Sequence, residues 1–204
     1  MKVLLVRPPS IMGRERAHAM QHPVNLCWLA AAARDAGFAP SILDYEVIPY
    51  RPDTFASVVA EAAPGVVGFT AMTPSVDFVA EMAAAARAAV PGAKLVLGGP
   101  HASILPTKTL EKYPQFDAAV IGEGESALVE ICRAAAAGAL GARAIPAAVL
   151  RAGDVPAGDA GVRAAPSDLD ALPLPARELL DLPRYTGAPT PGLPGGVYRA
   201  TQLF

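Results

Sequence analysis

Three loops rich in glycine and in hydroxyl side chains hold the residues best suited to bind a ligand. Residues 70–75 contain two threonines and a serine, residues 98–101 begin with paired glycines, and residues 122–125 alternate glycine with glutamate. Glycines remove side-chain bulk and let a ligand approach the backbone closely. The loops therefore predict a narrow slot with a backbone floor and hydroxyl-bearing walls, which suits a long planar group.

The sequence offers no nucleophile with a neighbouring base, no carboxylate pair at a plausible catalytic position and no cluster of metal ligands. We therefore predict a binding site without catalytic or metal-ligating side chains, with the first two loops as its most important parts. The predicted ligand contacts, two of which come from the loop after the first strand, are Pro9, Ser10, Thr70, Ala71, Met72, Thr73, Ser75, Gly98, Gly99, Pro100, His101, Gly122, Glu123, Gly124 and Glu125.

Several of these residues also have a structural interpretation. Ser75 suits the N-cap of the helix that follows it, and Glu125 suits the first turn of a later helix. Two roles fit His101: its ring lines the slot, or it forms a hydrogen bond with the backbone. Residues 122–127 fit the pattern Gly-x-Gly-x-x-Ala, but the carboxylates of Glu123 and Glu125 would repel the pyrophosphate of a dinucleotide.

Outside these loops, the residue patterns favour structural roles. His18 and His22 precede the first predicted helix with no third ligand spaced to join them, so we expect them in solvent or in a domain contact. Trp28 and Leu29, on that helix, are expected in the core. Residues 45–46, a tyrosine and a glutamate, follow the second predicted strand at the rim of the site.

Short apolar runs alternate five times with alanine-rich helical runs, and the connections between them are short. This alternation predicts a doubly wound, five-stranded parallel sheet of flavodoxin-like or Rossmann-like type. Such α/β sheets bind ligands beyond the carboxyl ends of their strands, where the three loops lie. The predicted strands are residues 2–6, 41–44, 66–70, 94–97 and 118–121, and the predicted helices are residues 25–36, 53–62, 75–90, 103–113 and 126–137.

Composition and charge argue against several classes of protein. The chain has 204 residues, of which 52% are hydrophobic, and 17 Lys and Arg against 19 Asp and Glu leave a net charge of −2. This balance argues against a polybasic protein that binds nucleic acid or a membrane surface. The apolar run before Arg7 is too short for a signal peptide or a membrane span. The two cysteines, Cys27 and Cys132, each lie in an apolar stretch that predicts a helix and cannot build a disulfide framework, so we expect a cytoplasmic protein with two buried thiols.

Glycine and proline become denser after about Arg151, which predicts a boundary between a compact domain and an extension. We place an α/β domain at residues 1–141 and a Pro/Gly-rich extension at residues 142–204.

The loop sequences resemble those of a known family. Residues 67–75 (VGFTAMTPS) and 97–102 (LGGPHA) are similar to the two segments that bind the nucleotide tail of cobalamin in B12-binding domains. Residues 121–125 (IGEGE) and 6–9 (VRPP) narrow the resemblance to the N-terminal domains of cobalamin-dependent radical S-adenosylmethionine enzymes. The resemblance implies a bound cobalamin that carries a methyl group, and a methyltransferase as the whole enzyme.

The extension resembles the same family. Residues 145–151 resemble the strand that follows the domain, and residues 168–177 resemble the linker into a radical domain. That domain would hold a [4Fe-4S] cluster on a Cys-x-x-x-Cys-x-x-Cys motif and bind S-adenosylmethionine, but the motif does not occur within the 204 residues. We therefore expect a radical domain in cis outside this sequence. Two alternatives stay open: a stand-alone cobalamin carrier or sensor that acts on a partner in trans, and a flavodoxin-like nucleotide binder.

One departure from the wider family bears on cobalt ligation. Many B12-binding domains carry Asp-x-His-x-x-Gly after the first strand, and the histidine is the lower ligand of cobalt. Here residues 8–13 read PPSIMG, so Ser10 stands where that histidine would be. The resemblance then implies base-off cobalamin with no histidine of this loop on the cobalt.

Overall fold

In the computed structural model, which describes residues 1–10, 21–152, 155–157 and 172–185, seven strands form one sheet. They are β1 (Lys2–Arg7), β2 (Ala39–Asp44), β3 (Val66–Thr70), β4 (Lys94–Gly98), β5 (Ala118–Val120), β6 (Ala148–Ala152) and β7 (Val155–Ala157). Their order across the sheet is β2-β1-β3-β4-β5-β6-β7. The strands from β1 to β5 pair in parallel, which confirms the predicted doubly wound fold of flavodoxin-like order.

The predicted strand number of five was too low. Strand β6 pairs antiparallel with β5, and β7 pairs antiparallel with β6. Val149 and Leu150 of β6 are buried. The short strand β5 would otherwise be an uncovered edge, and an apolar strand that returns beside it buries both its side chains and its backbone groups. The sheet thus continues past residue 141, although the two-part division of the chain remains a prediction.

Among the described residues, six α-helices cover the sheet on both faces. They are α1 (Val24–Asp35), α2 (Pro52–Ala62), α3 (Val76–Ala89), α4 (Gly99–Ile104), α5 (Pro106–Lys112) and α6 (Glu125–Ala136). Successive residues of β1 point to opposite faces, so Val3 and Leu5 pack with α1 and α6, whereas Leu4 and Val6 pack with α2 and α3. The sheet is buried on both sides, as expected for parallel strands.

The predicted helix at residues 103–113 is divided in two. Helix α4 ends at Ile104, and α5 begins at Pro106 after Leu105 has left the helical conformation, with φ −130° and ψ 48°. A proline disfavours the helical conformation of the residue before it, which explains the break. Elsewhere the predicted bounds of the helices differ from the observed ones by a few residues at most.

Both cysteines are buried thiols, as predicted. Burial raises the pKa of Cys27 to about 11 and the pKa of Cys132 to about 12. Both therefore stay protonated and pack as small apolar side chains.

Candidate functional site

The carboxyl ends of β3 and β4 lie side by side and hold the two most important predicted loops together. Thr70 is opposite Gly98 in the parallel register. The backbone N–H of Ala71 donates to the carbonyl of Gly98 at 3.1 Å, and the N–H of His101 donates to the carbonyl of Ala71 at 3.1 Å. The loops that follow the two strands thus form one hydrogen-bonded unit.

The paired glycines have different physical roles. Gly99 has a φ of +86°, and a Cβ atom there would lie 2.6 Å from Oγ1 of Thr70 and 3.0 Å from the backbone nitrogen of Ala71. Gly98 has an extended backbone, and a Cβ atom there would meet nothing closer than the carbonyl oxygen of Phe69 at 3.8 Å. Gly99 therefore allows the two strand ends to approach each other, while Gly98 leaves open space.

That open space is a slot of about 120 Å³ between the sheet and helices α1 and α6. Its polar lining comes from Thr70, Asn25, Glu123 and Glu125, together with backbone at the glycines. The rest of its side-chain lining is apolar: Leu5, Leu26, Leu29, Phe69, Val96, Val120 and Leu128. An apolar slot with polar groups among its lining suits a flat aromatic ring joined to a polar chain.

A wider pocket of about 660 Å³ lies beside the slot and shares Asn25 and Thr70 with it. The loop after β1 and the start of α1 form part of its wall, and the loop after β3 forms another. Its lining residues are Arg7, Pro8, Pro9, Ser10, Gln21, His22, Pro23, Val24, Asn25, Trp28, Glu46, Thr70, Ala71, Met72, Pro74, Ser75 and Pro100. The slot and the wide pocket together offer a small, mostly apolar space next to a larger, more polar one.

The structure brings most of the predicted site residues to these two spaces. Those that line the slot are Thr70, Gly98, Gly99, Gly122, Glu123, Gly124 and Glu125. Those that line the wide pocket are Pro9, Ser10, Thr70, Ala71, Met72, Ser75 and Pro100. Thr73 and His101 line neither space.

His101 and Thr73 connect the two loops instead. His101 is buried, and its Nδ1 atom lies 3.1 Å from Oγ1 of Thr73. Burial lowers the pKa of His101, which favours a neutral ring. Neither of the two roles expected from the sequence describes it fully, because its partner is a side chain of the neighbouring loop.

Ser75 occupies the N-cap position of α3, as predicted, but its side chain makes no cap hydrogen bond and stabilises the preceding turn instead. Its hydroxyl donates to the carbonyl of Met72 at 3.0 Å and accepts from the Met72 N–H at 3.1 Å. A single 3-10 turn from Thr73 to Ser75 precedes α3, so the hydroxyl meets that turn before it can reach the helix.

Helix α1 contributes lining residues that the sequence interpretation left out. Asn25, Leu26 and Leu29 line the slot, and Trp28 lines the wide pocket. Trp28 and Leu29 were assigned to the core, and both are only partly buried. An apolar residue beside a pocket and one in a core have the same helical spacing, so the pattern alone could not distinguish them.

The residues predicted at the rim behave differently from each other. Tyr45 is buried among aromatic rings, with the centroid of Tyr50 at 5.1 Å and that of Phe55 at 5.9 Å. Glu46 lines the wide pocket. Only the glutamate is therefore placed to meet a ligand.

Glu125, which lines the slot, makes the stability of the fold depend on pH. Burial raises its pKa, and the nearby charge of Glu123 raises it further, against a backbone hydrogen bond that lowers it. A raised pKa in the folded state means that ionisation destabilises the fold, so stability is lost as pH rises from the unfolded value of about 4.3 through the folded value. We expect Glu125→Gln to raise the free energy of unfolding at pH 7 and to lose that advantage at about pH 4.

Urea denaturation at both pH values measures this effect. Glu61→Gln, on an exposed position of α2, is the matched control and should show no such pH-dependent gain. A Glu125→Gln advantage of equal size at pH 4 and pH 7 would contradict the assignment.

Comparison with known proteins identifies the family. The model of the B12 binding domain matches residues 14–132, more than half of the chain. The chain belongs to the B12-binding domain family. The resemblance predicted from its loop sequences is thereby confirmed, and cobalamin is the ligand that defines this family.

Relatives of this B12-binding domain are larger proteins. The anaerobic magnesium-protoporphyrin IX monomethyl ester cyclase of Cereibacter sphaeroides is 32% identical over 66% of this chain, which covers 22% of that protein. An uncharacterized methyltransferase of Pyrococcus horikoshii is 28% identical over 99% of this chain and 43% of its own length. The chain thus spans less than half the length of these curated relatives.

Solved structures agree on the fold of the B12-binding domain. The radical S-adenosylmethionine methyltransferase TsrM of Kitasatospora setae, solved with its tryptophan substrate and an analogue of S-adenosylmethionine, is 25% identical with a TM-score of 0.64. The match covers 76% of this chain and 29% of TsrM. The cobalamin-dependent radical enzyme OxsB, at 14% identity, matches with a TM-score of 0.61 over 73% of this chain and 20% of its own, and shares the fold.

Two further properties of the described residues concern membranes and metals. No helix among them is long and apolar enough to cross a membrane. Within the same residues, no group of three or more His, Cys, Asp or Glu side chains is arranged to hold a metal ion.

Proposed function

We propose that this domain holds base-off cobalamin for a radical S-adenosylmethionine methyltransferase, with the nucleotide tail in the slot and the corrin ring at the wide pocket. The slot floored by Gly98, next to the wide pocket, is the observation that carries the proposal. When bound, cobalamin supplies a cobalt centre that carries a methyl group. The side chains of this domain bind the cofactor and orient it.

The chemistry of the two spaces fits the parts of this cofactor. The apolar side chains of the slot suit the flat benzimidazole base, while Thr70 and Asn25 offer hydrogen bonds to the sugar and phosphate that follow it. In the wide pocket, Arg7, Ser10 and Glu46 offer polar groups to the amide side chains of the corrin ring. A base seated in the slot is withdrawn from the cobalt, so the fit favours base-off binding.

Residues 8–13 offer no histidine to replace the base, because Ser10 stands at the corresponding position and lines the wide pocket. His101 is held against Thr73, and His18 lies outside the described residues. His22 lines the wide pocket, and burial lowers its pKa. We propose that cobalt has no histidine ligand from residues 8–13, and His22, the described histidine that lines the wide pocket, is the side chain to test as an alternative ligand.

The relatives support the assignment to a radical enzyme. TsrM and OxsB are radical S-adenosylmethionine enzymes, and solved forms of them hold cobalamin, with a [4Fe-4S] cluster in TsrM. We propose that residues 142–204 lead from this domain to such a radical domain. The carrier or sensor alternative is untested, whereas the family match favours cobalamin over the flavodoxin-like nucleotide alternative.

Gel filtration with hydroxocobalamin tests the proposal. We expect the purified chain to retain the corrinoid absorbance in about one-to-one ratio after excess cofactor is removed. Flavin mononucleotide, run in parallel, should not be retained. A chain that retains flavin and no corrinoid would support the nucleotide-binding alternative instead.

The visible spectrum of the retained cofactor tests the ligation. We expect a base-off spectrum that is the same in the wild-type chain and in His22→Ala. A spectrum of nitrogen-ligated cobalt would contradict the absence of a protein ligand, and its loss in His22→Ala would identify His22 as that ligand.

A further inference from the structure

The chain returns to the domain after the sheet is complete, at residues 172–185, which we call the docked segment. The backbone N–H of Ala176 donates to the carbonyl of Cys27 in α1 at 3.0 Å, and Ala176 is fully buried. Glu178 forms an ion pair with Arg34 of the same helix. The docked segment therefore packs along α1, the helix that helps to line both the slot and the wide pocket.

The docked segment ends at a buried carboxylate on the carboxyl end of β2. Asp44 is 4% exposed, and its carboxylate accepts three hydrogen bonds. The donors are the hydroxyl of Tyr185 at 2.9 Å, Nη1 of Arg7 at 3.3 Å and the backbone N–H of Glu46 at 2.9 Å. One carboxylate thus joins the docked segment to residues of the wide pocket.

Each donor to this carboxylate lines the wide pocket or contacts a residue that lines it. Arg7 also donates from Nη1 to the carbonyl of Gln21 at 2.9 Å, and Arg7, Gln21 and Glu46 line that pocket. The ring of Tyr185 packs edge-on against His22, another lining residue, with a centroid distance of 4.8 Å. Asp44 and Tyr185 lie behind the wall, where they line a separate small cavity.

We propose that Tyr185 is a positioning residue that couples the docked segment to corrinoid binding through Asp44 and Arg7. Removing its hydroxyl takes one of three donors from a buried carboxylate, and Arg7 is the flexible donor that can move to compensate. Because Arg7 also holds Gln21, its movement alters the wall on which a ligand rests. The proposal rests on the proposed function, since its ligand is cobalamin.

Coupling of this kind is reciprocal. If docking of residues 172–185 strengthens cobalamin binding by some factor, cobalamin strengthens docking by the same factor. The docked segment contains Arg184, an exposed site for trypsin, so cleavage there reports how often the segment is open. The coupling therefore has a readout that is independent of enzymatic activity.

Tyr185→Phe in the 204-residue chain tests the proposal, with Tyr113→Phe as the matched control. Tyr113 also donates its hydroxyl to an aspartate, Asp77 at 2.6 Å, and neither of these two residues lines the slot or the wide pocket. We expect the Kd for hydroxocobalamin to rise fivefold to tenfold in Tyr185→Phe and to stay within twofold of wild type in Tyr113→Phe. Asp44→Asn should behave as Tyr185→Phe does.

Trypsin cleavage after Arg184 is then compared with and without saturating hydroxocobalamin. The cofactor should slow cleavage fivefold to tenfold in the wild-type chain and in Tyr113→Phe, and less than twofold in Tyr185→Phe. Wild-type affinity or full protection in Tyr185→Phe overturns the coupling while leaving the proposed function standing. A wild-type chain that retains no cobalamin overturns both.

Discussion

Replacing Gly98 with valine is expected to abolish cobalamin binding and to leave the fold intact. The backbone at Gly98 is extended, with φ −123° and ψ −167°, a conformation that a β-branched residue adopts readily. A Cβ atom there meets no protein atom closer than 3.8 Å, so its methyl groups would occupy the slot. We expect the Kd for hydroxocobalamin to rise at least 100-fold, about 2.8 kcal/mol of binding free energy, in an equilibrium titration.

The matched control lies just before the other end of the same strand. Gly92 precedes β4 and is exposed, and a Cβ atom added to it would have no neighbour within 4 Å, so Gly92→Val should bind cobalamin as wild type does. Both variants should keep the wild-type midpoint of thermal unfolding within a few degrees. Tight cobalamin binding by a folded Gly98→Val chain would place the nucleotide tail elsewhere.

Gly99→Ala should destabilise the fold itself. The φ of +86° is unfavourable for alanine, and its Cβ would lie 2.6 Å from Oγ1 of Thr70 and 3.0 Å from both backbone atoms N and O of Ala71. Those backbone atoms bond to Gly98 and His101, so they cannot move without breaking the contact between the loops. We expect the free energy of unfolding, measured by urea denaturation, to fall by about 3–4 kcal/mol.

Gly37→Ala separates the two causes of that loss. Gly37 has the same φ of +86°, but a Cβ atom there would have no neighbour within 4 Å. Gly37→Ala should therefore lower the free energy of unfolding by only about 1–2 kcal/mol, the cost of placing alanine at a positive φ. Equal losses in the two variants would mean that the close approach of Gly99 to β3 contributes nothing.

The sequence predicted which loops lie together, because their positions follow from topology. Parallel strands end at one edge of a sheet, so loops 70–75, 98–101 and 122–125 had to lie near one another once the alternation of strands and helices was recognised. The register of Thr70 against Gly98 shows this directly. The glycine pair indicated a close approach, although only the tertiary structure separates Gly99, which touches β3, from Gly98, which faces the slot.

The sequence predicted side-chain roles less well. His101 and Ser75 have partners within or between loops, and such partners depend on distances of a few ångströms that no spacing rule contains. Leu29 was assigned to the core because an apolar helix position next to a slot and one next to a strand give the same pattern. The resemblance indicated a strand at residues 145–151, but neither that strand nor β7 was placed in the predicted sheet, because both were assigned to the extension.

By itself, the sequence determined the order of the elements, the buried faces of the strands and the edge of the sheet at which the candidate loops meet. These follow from local periodicity and from the handedness of parallel connections, which act at short range along the chain. Only the tertiary structure decided the volume of the slot, the contribution of α1 to its lining, and the hydrogen bonds of Arg7 and Tyr185 to the carboxylate of Asp44. Residues 44 and 185 are far apart in the chain, and only the packing of the docked segment along α1 brings them together.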